Sequence, residues 1–136
     1  MANFVGKYKY EKSEGFEDYL RKTVGQPGAD AAKKFHQNKP YFEVSVSGDY
    51  YTFTLYNGEQ QITNSFYFDK EFNEKTFYDT IFKTVCKKYD DKIVFVSKHP
   101  NGNTSTREYK FTHEGVEANL FDQQFGSKAY LIFKRY

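Results

Sequence analysis

Apolar and polar positions alternate with period two over most of the chain, the pattern of half-buried β-strands. Phe42, Val44 and Val46 alternate with Glu43, Ser45 and Ser47, and Gly48-Asp49 supplies turn chemistry. Tyr51, Phe53 and Leu55 share one face of the next strand, which runs into Asn57-Gly58, a strong hairpin signal. Further strands are predicted near 60–68, near Phe72, from Tyr78 to Lys88, from Ile93 to His99, over 103–112, over 116–123 and from Lys128 to Tyr136. Gly6 to Tyr10 supplies one more, ahead of the only segment with helical periodicity. There Phe16, Tyr19 and Leu20 fall on one helical face, with Ser13 placed as N-cap and Glu14 and Glu17 in the first turn. Gly25 stops that helix. Pro27 opens a second, whose small apolar side is Ala29, Ala31, Ala32 and Phe35 and which ends at Asn38-Lys39-Pro40.

About ten strands joined by short turns suit an antiparallel up-and-down sheet. In so short a chain they would leave long exposed edges unless the sheet closed. The expected architecture is therefore mostly β: a ten-stranded up-and-down barrel with a two-helix hairpin, about 14–38, inserted after its first strand. Residues 1–136 form a single domain, as a length of 136 residues and a mass of 16.1 kDa imply.

Composition changes this picture in one respect. The chain holds 13 Tyr and 15 Phe but no Trp, and Leu20, Leu55, Leu120 and Leu131 are its whole set of leucines, so the interior is built from rings. The formal net charge of +2 gives no electrostatic footprint for nucleic acid. Cys86 is alone, which excludes an intramolecular disulfide, and the stretch Met1 to Gly6 has no apolar run of signal-peptide length. Both point to the cytoplasm, where the triplet Asn103-Thr104-Ser105 reads as an unused glycosylation match. His36, His99 and His113 have no neighbours at metal-ligand spacing, and no nucleophile elbow or phosphate loop occurs. No enzyme and no cofactor are expected. Cys86 reads as a packed, inert thiol, and the chain is taken as a monomer. Lys33-Lys34 offers a transient contact with anionic membrane.

The inner faces argue for a cavity. A barrel of about eight strands is filled by its own side chains or holds one small ligand, and ten strands leave more room. Over 103–112 one face carries Ser105, Arg107, Tyr109 and Phe111, and the other Thr104, Thr106, Glu108 and Lys110. The second set suits solvent, so Arg107 points inward beside Tyr109. A buried guanidinium is expensive unless water, a protein carboxylate or an anionic guest answers it. Ala129, Leu131 and Phe133 share a face of the last strand, as do Phe53 with Leu55 and Phe95 with Ser97. Two function classes follow: a carrier holding a long hydrophobic ligand, and a structural or interaction protein whose barrel is filled by its own rings.

Several short motifs, in order, resemble those of the intracellular lipid-binding proteins, the fatty-acid-binding and cellular retinoid-binding group. They are Phe4-Val5-Gly6-Lys7-Tyr8, the first-helix run Glu14 to Leu20, Lys39-Pro40, the turn Ser47-Gly48-Asp49 and Glu71-Phe72-Asn73-Glu74. Lys7 to Ser13 and Phe133-Lys134-Arg135 are similar to arthropod members, mite allergens included. The resemblance implies a β-clam capped by the helices, with long apolar ligands inside and no chemistry performed. It implies a portal at the second helix with Phe35, the Asn57-Gly58 turn and the turn near Thr76-Phe77. It implies a helix-side lining of Phe16, Tyr19 and Leu20. Fatty-acid binders of the group usually hold the carboxylate with an inward Arg on the eighth strand and an R-x-Y pair on the tenth. This chain has Leu131-Ile132-Phe133 in place of R-x-Y, and Tyr109 at the eighth-strand Arg position with Arg107 two residues earlier on the same face. The expected ligand is a fatty acid or related lipid. A more neutral or conjugated guest, such as a retinoid, carotenoid or other pigment, is the alternative. Arg107 and Tyr109 are the polar candidates, and Phe53, Leu55, Phe95, Leu131 and Phe133 the apolar ones.

Overall fold

The computed structural model describes residues 3–136; Met1 and Ala2, which open the stretch read as free of a leader, lie outside the described residues. The elements in chain order are β1 (Gly6–Glu14), α1 (Phe16–Val24), α2 (Gln26–Asn38), β2 (Tyr41–Ser47), β3 (Tyr50–Asn57), β4 (Gln60–Phe66), β5 (Phe72–Lys75), β6 (Ile81–Tyr89), β7 (Lys92–Lys98), β8 (Thr104–Phe111), β9 (Gly115–Asp122) and β10 (Lys128–Arg135). They form one ten-stranded antiparallel sheet in the order β4-β3-β2-β1-β10-β9-β8-β7-β6-β5. Nearly every neighbour in space is a neighbour in sequence; the exception, β1 beside β10, joins the two ends of the chain.

That order curls the sheet into a nearly closed barrel whose last seam, between β4 and β5, carries no backbone ladder among the described residues. The full closure expected from edge-strand arguments is met instead by a side chain. Asn64 on β4 donates from Nδ2 to the Lys75 carbonyl (2.9 Å) and accepts the Lys75 N–H on Oδ1 (2.8 Å), so its amide imitates one peptide of a ladder.

Three local expectations are corrected. β1 runs on to Glu14 rather than ending at Tyr10, with a register shift between Tyr10 and Lys12 against β10. Ser13 therefore lies in the strand and caps nothing; its hydroxyl meets the Tyr10 phenol at 2.7 Å. The helix starts instead from Gly15, whose left-handed φ of 70° turns the chain sharply out of the strand. β6 begins at Ile81, not Tyr78, because Thr76 and Thr80 close a turn through the Thr76 hydroxyl (2.7 and 3.1 Å) and Asp79 is left-handed. Val46 is exposed although Phe42 and Val44 on the same face are buried.

The helices pack at one end of the barrel. α1 turns Phe16, Tyr19 and Leu20 inward, and α2 turns Ala29, Ala32 and Phe35. Gly28 permits their close approach: a Cβ there would lie 2.7 Å from the Leu20 carbonyl oxygen. Among the described residues no helix is long and apolar enough to cross a membrane.

Candidate binding cavity

The sheet register builds the interior row by row. Thr84, Ser97, Ser105 and Asp122 stand opposite one another across β6, β7, β8 and β9, all fully buried, and form a polar stripe inside the barrel. The next row holds Phe95, Arg107, Leu120 and Ala129, and the one beyond it Ile93, Tyr109, Ala118 and Leu131. Apolar residues thus flank a narrow polar stripe on β6–β9.

Between the barrel wall and α1–α2 lies a cavity of about 140 Å³. Every residue proposed from the sequence lines it: Phe16, Tyr19, Leu20, Phe35, Phe53, Leu55, Phe95, Arg107, Tyr109, Leu131 and Phe133. So do Phe77, from the turn expected at the portal, and Phe42, Tyr78, Phe82 and Glu74, which sequence reasoning did not propose for the site. Its helix end is closed by rings, Phe35 stacking on Phe77 at 4.8 Å with Phe16 edge-on to Phe35 at 5.4 Å. The Asn57-Gly58 turn is tied to α2 by Asn38 Nδ2 donating to Asn57 Oδ1 at 3.0 Å. Both turns of the expected portal are therefore in contact with α2.

Arg107 does point inward, with a side chain 13% exposed, and its partner is a protein carboxylate. Its Nη2 donates to Glu74 Oε1 on β5 and, at 3.0 Å, to the Ser97 hydroxyl. Glu74 is 5% exposed and also accepts from the Thr84 hydroxyl at 2.8 Å. The guanidinium carbon sits 4.9 Å from the Phe95 ring centre and 5.9 Å from that of Phe82, both within cation–π range. Arg107 Nε has no hydrogen-bond partner among the described residues. A signal for Glu74 was available: a protein carboxylate is one of the partners an inward arginine can take, and Glu74 shares a strand face with Phe72.

The other polar groups are held neutral. Burial pushes the Tyr19 phenol up to about 12, against the pull of Arg107. Burial likewise raises the phenols of Tyr78 and Tyr109. His99, only 6% exposed, stacks on Phe82 at 4.2 Å with its Nε2 2.7 Å from the Ser105 hydroxyl; burial, then Arg107, lowers its imidazole. Cys86 is fully buried and its thiol is pushed well above its ordinary range, chiefly by that burial, which makes it unreactive. Asn103 is buried with its side-chain amide on Asp122, a poor acceptor for a glycan. Among the described residues no cluster of His, Cys, Asp and Glu is arranged to hold a metal ion.

Comparison with known proteins agrees with this architecture. Residues 1–122 match the model of the lipocalin / cytosolic fatty-acid binding protein family. A fatty acid-binding protein type 2 of Fasciola hepatica is 35% identical over 105 residues, 76% of this chain and 78% of that protein. A fatty acid-binding protein of the mite Lepidoglyphus destructor is 34% identical over 122 residues, covering 88% and 91%. In three dimensions a Schistosoma mansoni fatty acid binding protein, solved with arachidonic acid, superposes with a TM-score of 0.87 at 21% identity, covering 98% of this chain and 96% of that one; at that identity it attests the fold alone. The relatives are carriers and not enzymes, arthropod members are among them, and the chain belongs to the lipocalin / cytosolic fatty-acid binding protein family.

Proposed function

We propose that this protein is a cytoplasmic carrier that takes one long hydrophobic molecule, a fatty acid or related lipid, into the barrel. The observation that carries this reading is the mainly apolar cavity between the sheet and the helix pair. The filled-barrel reading does not account for a buried Arg–Glu pair lining that space.

The free volume of about 140 Å³ lies below the roughly 300–1,000 Å³ of common small-molecule sites. A long ligand therefore has to displace rings. Phe77 is the candidate, since it stands on the turn after β5, is only half-buried and meets the helices through the rings of Phe35 and Phe16. Burial of each methylene contributes about 0.8 kcal/mol, so a long chain gains on the order of 10 kcal/mol before ordering costs, enough to move a ring stack of about 1 kcal/mol. The exposed Lys33 and Lys34 on α2, next to this mouth, suit a transient meeting with anionic membrane.

Organic extraction of purified protein followed by mass spectrometry tests the reading, together with displacement of a fluorescent fatty-acid probe. A co-purifying lipid or competitive displacement is expected. Recovery of no lipid combined with no probe binding would contradict it.

A further inference from the structure

Building on the carrier reading, we infer that the cavity selects long-chain ligands with a neutral, oxygen-bearing head, such as a primary alcohol, over free carboxylates, and that Glu74 sets this preference. Among the described residues Arg107 is the one buried cation in the cavity, where Glu74 on β5 pairs with it; Lys75 also lines the space but is exposed. Glu74 and Arg107 offset one another, and the far end of the stripe carries a further carboxylate, Asp122, held by the Asn103 amide and the Phe125 N–H. A ligand carboxylate placed there would bring a second anion beside Glu74, and two carboxylates sharing one buried site repel strongly. Nothing on β10 relieves this, because Leu131 and Phe133 are apolar and buried.

A neutral oxygen meets no such conflict. A guanidinium has five N–H donors, and Arg107 spends two, on Glu74 and Ser97. Its remaining donors can serve a hydroxyl or carbonyl oxygen without any change in charge. The phenols of Tyr19, Tyr78 and Tyr109 line the same space and can both donate and accept. Burial keeps all three protonated, as described above. Thr84 and Ser97 hold Glu74 from β6 and β7, so the carboxylate is fixed in place and cannot swing away for a guest.

The test uses delipidated full-length protein, wild type and Glu74→Gln, with oleyl alcohol and oleate each competing against one neutral, environment-sensitive dye. Wild type is expected to bind the alcohol on the order of tenfold more tightly than oleate, the size of one charged interaction. Glu74→Gln leaves Arg107 as an unneutralised cation, and should tighten oleate relative to the alcohol by about tenfold or more. Thermal unfolding checks the variant's fold; if it does not fold, the wild-type ratio decides alone. Oleate bound as tightly as the alcohol by wild type, or an unchanged ratio in a folded Glu74→Gln, overturns this inference and leaves the carrier reading standing. Displacement by neither ligand overturns both.

Discussion

Replacing Arg107 by Met isolates what the buried ion pair contributes. Glu74, 5% exposed, would lose its one charged partner among the described residues and keep the Thr84 hydroxyl at 2.8 Å and the more distant Ser97 hydroxyl at 3.4 Å. At an effective dielectric of about 20 the attraction lost is about 4 kcal/mol or more. Removing one partner of a buried pair typically destabilises by about 3–5 kcal/mol, because the remaining charge is stranded. For a chain of 136 residues that corresponds to a fall in Tm of about 10–17 °C. Replacing both partners by apolar residues of similar volume, Glu74→Leu with Arg107→Met, removes the stranded charge and should recover most of the loss. Urea unfolding of delipidated protein, with the m value monitored, gives each free energy and the coupling between the sites. An Arg107→Met variant within about 1 kcal/mol of wild type, or a double variant no more stable than the single one, would refute the claim that the two charges depend on each other.

Further outcomes follow from other parts of the molecule. Asn64→Ala removes both hydrogen bonds across the β4–β5 seam and should lower stability by about 1–3 kcal/mol while speeding uptake of a fluorescent lipid in stopped-flow; unchanged uptake would assign entry to the helix end alone. His99, held below its ordinary 6.5 by burial, binds fewer protons folded than unfolded as pH falls. The stability it secures above about pH 6.5 is lost in more acid solution, so His99→Gln should flatten the drop in Tm between about pH 7 and 5. Cys86 should react with an aromatic disulfide reagent in native protein only at the rate of unfolding, and at once in urea.

The barrel was legible because its strands obey one rule throughout: inward residues recur every second position, and turns such as Asn57-Gly58 and Gly48-Asp49 punctuate them. The face of β8 was legible for the same reason, so Arg107 and Tyr109 could be placed inside before any coordinates. What the pattern concealed was pairing across long sequence distances. Glu74 and Arg107 meet only because β5 and β8 curve toward each other round the wall, and no local period encodes that. Asn64 is similar: on β4 it reads as an ordinary polar position, and its role at the seam exists only once Lys75 stands opposite. The start of α1 was misplaced because Ser13 and Glu14 have the chemistry of a helix start, while β10 pairing through Leu131 and Tyr130 claims them for β1. His99 closes the strand predicted from Ile93 and carries no inward signal in the sequence; the ring of Phe82 and the Ser105 hydroxyl draw it inside.

Dependence of affinity on chain length tests the interior site most directly. Titration calorimetry of delipidated protein with primary alcohols from decanol to hexadecanol should show each added methylene tightening binding by up to about fourfold, the equivalent of about 0.8 kcal/mol, until the barrel is filled. Affinities that stay flat across the series would mean the chains never leave water, and no guest is held between the sheet and the helices.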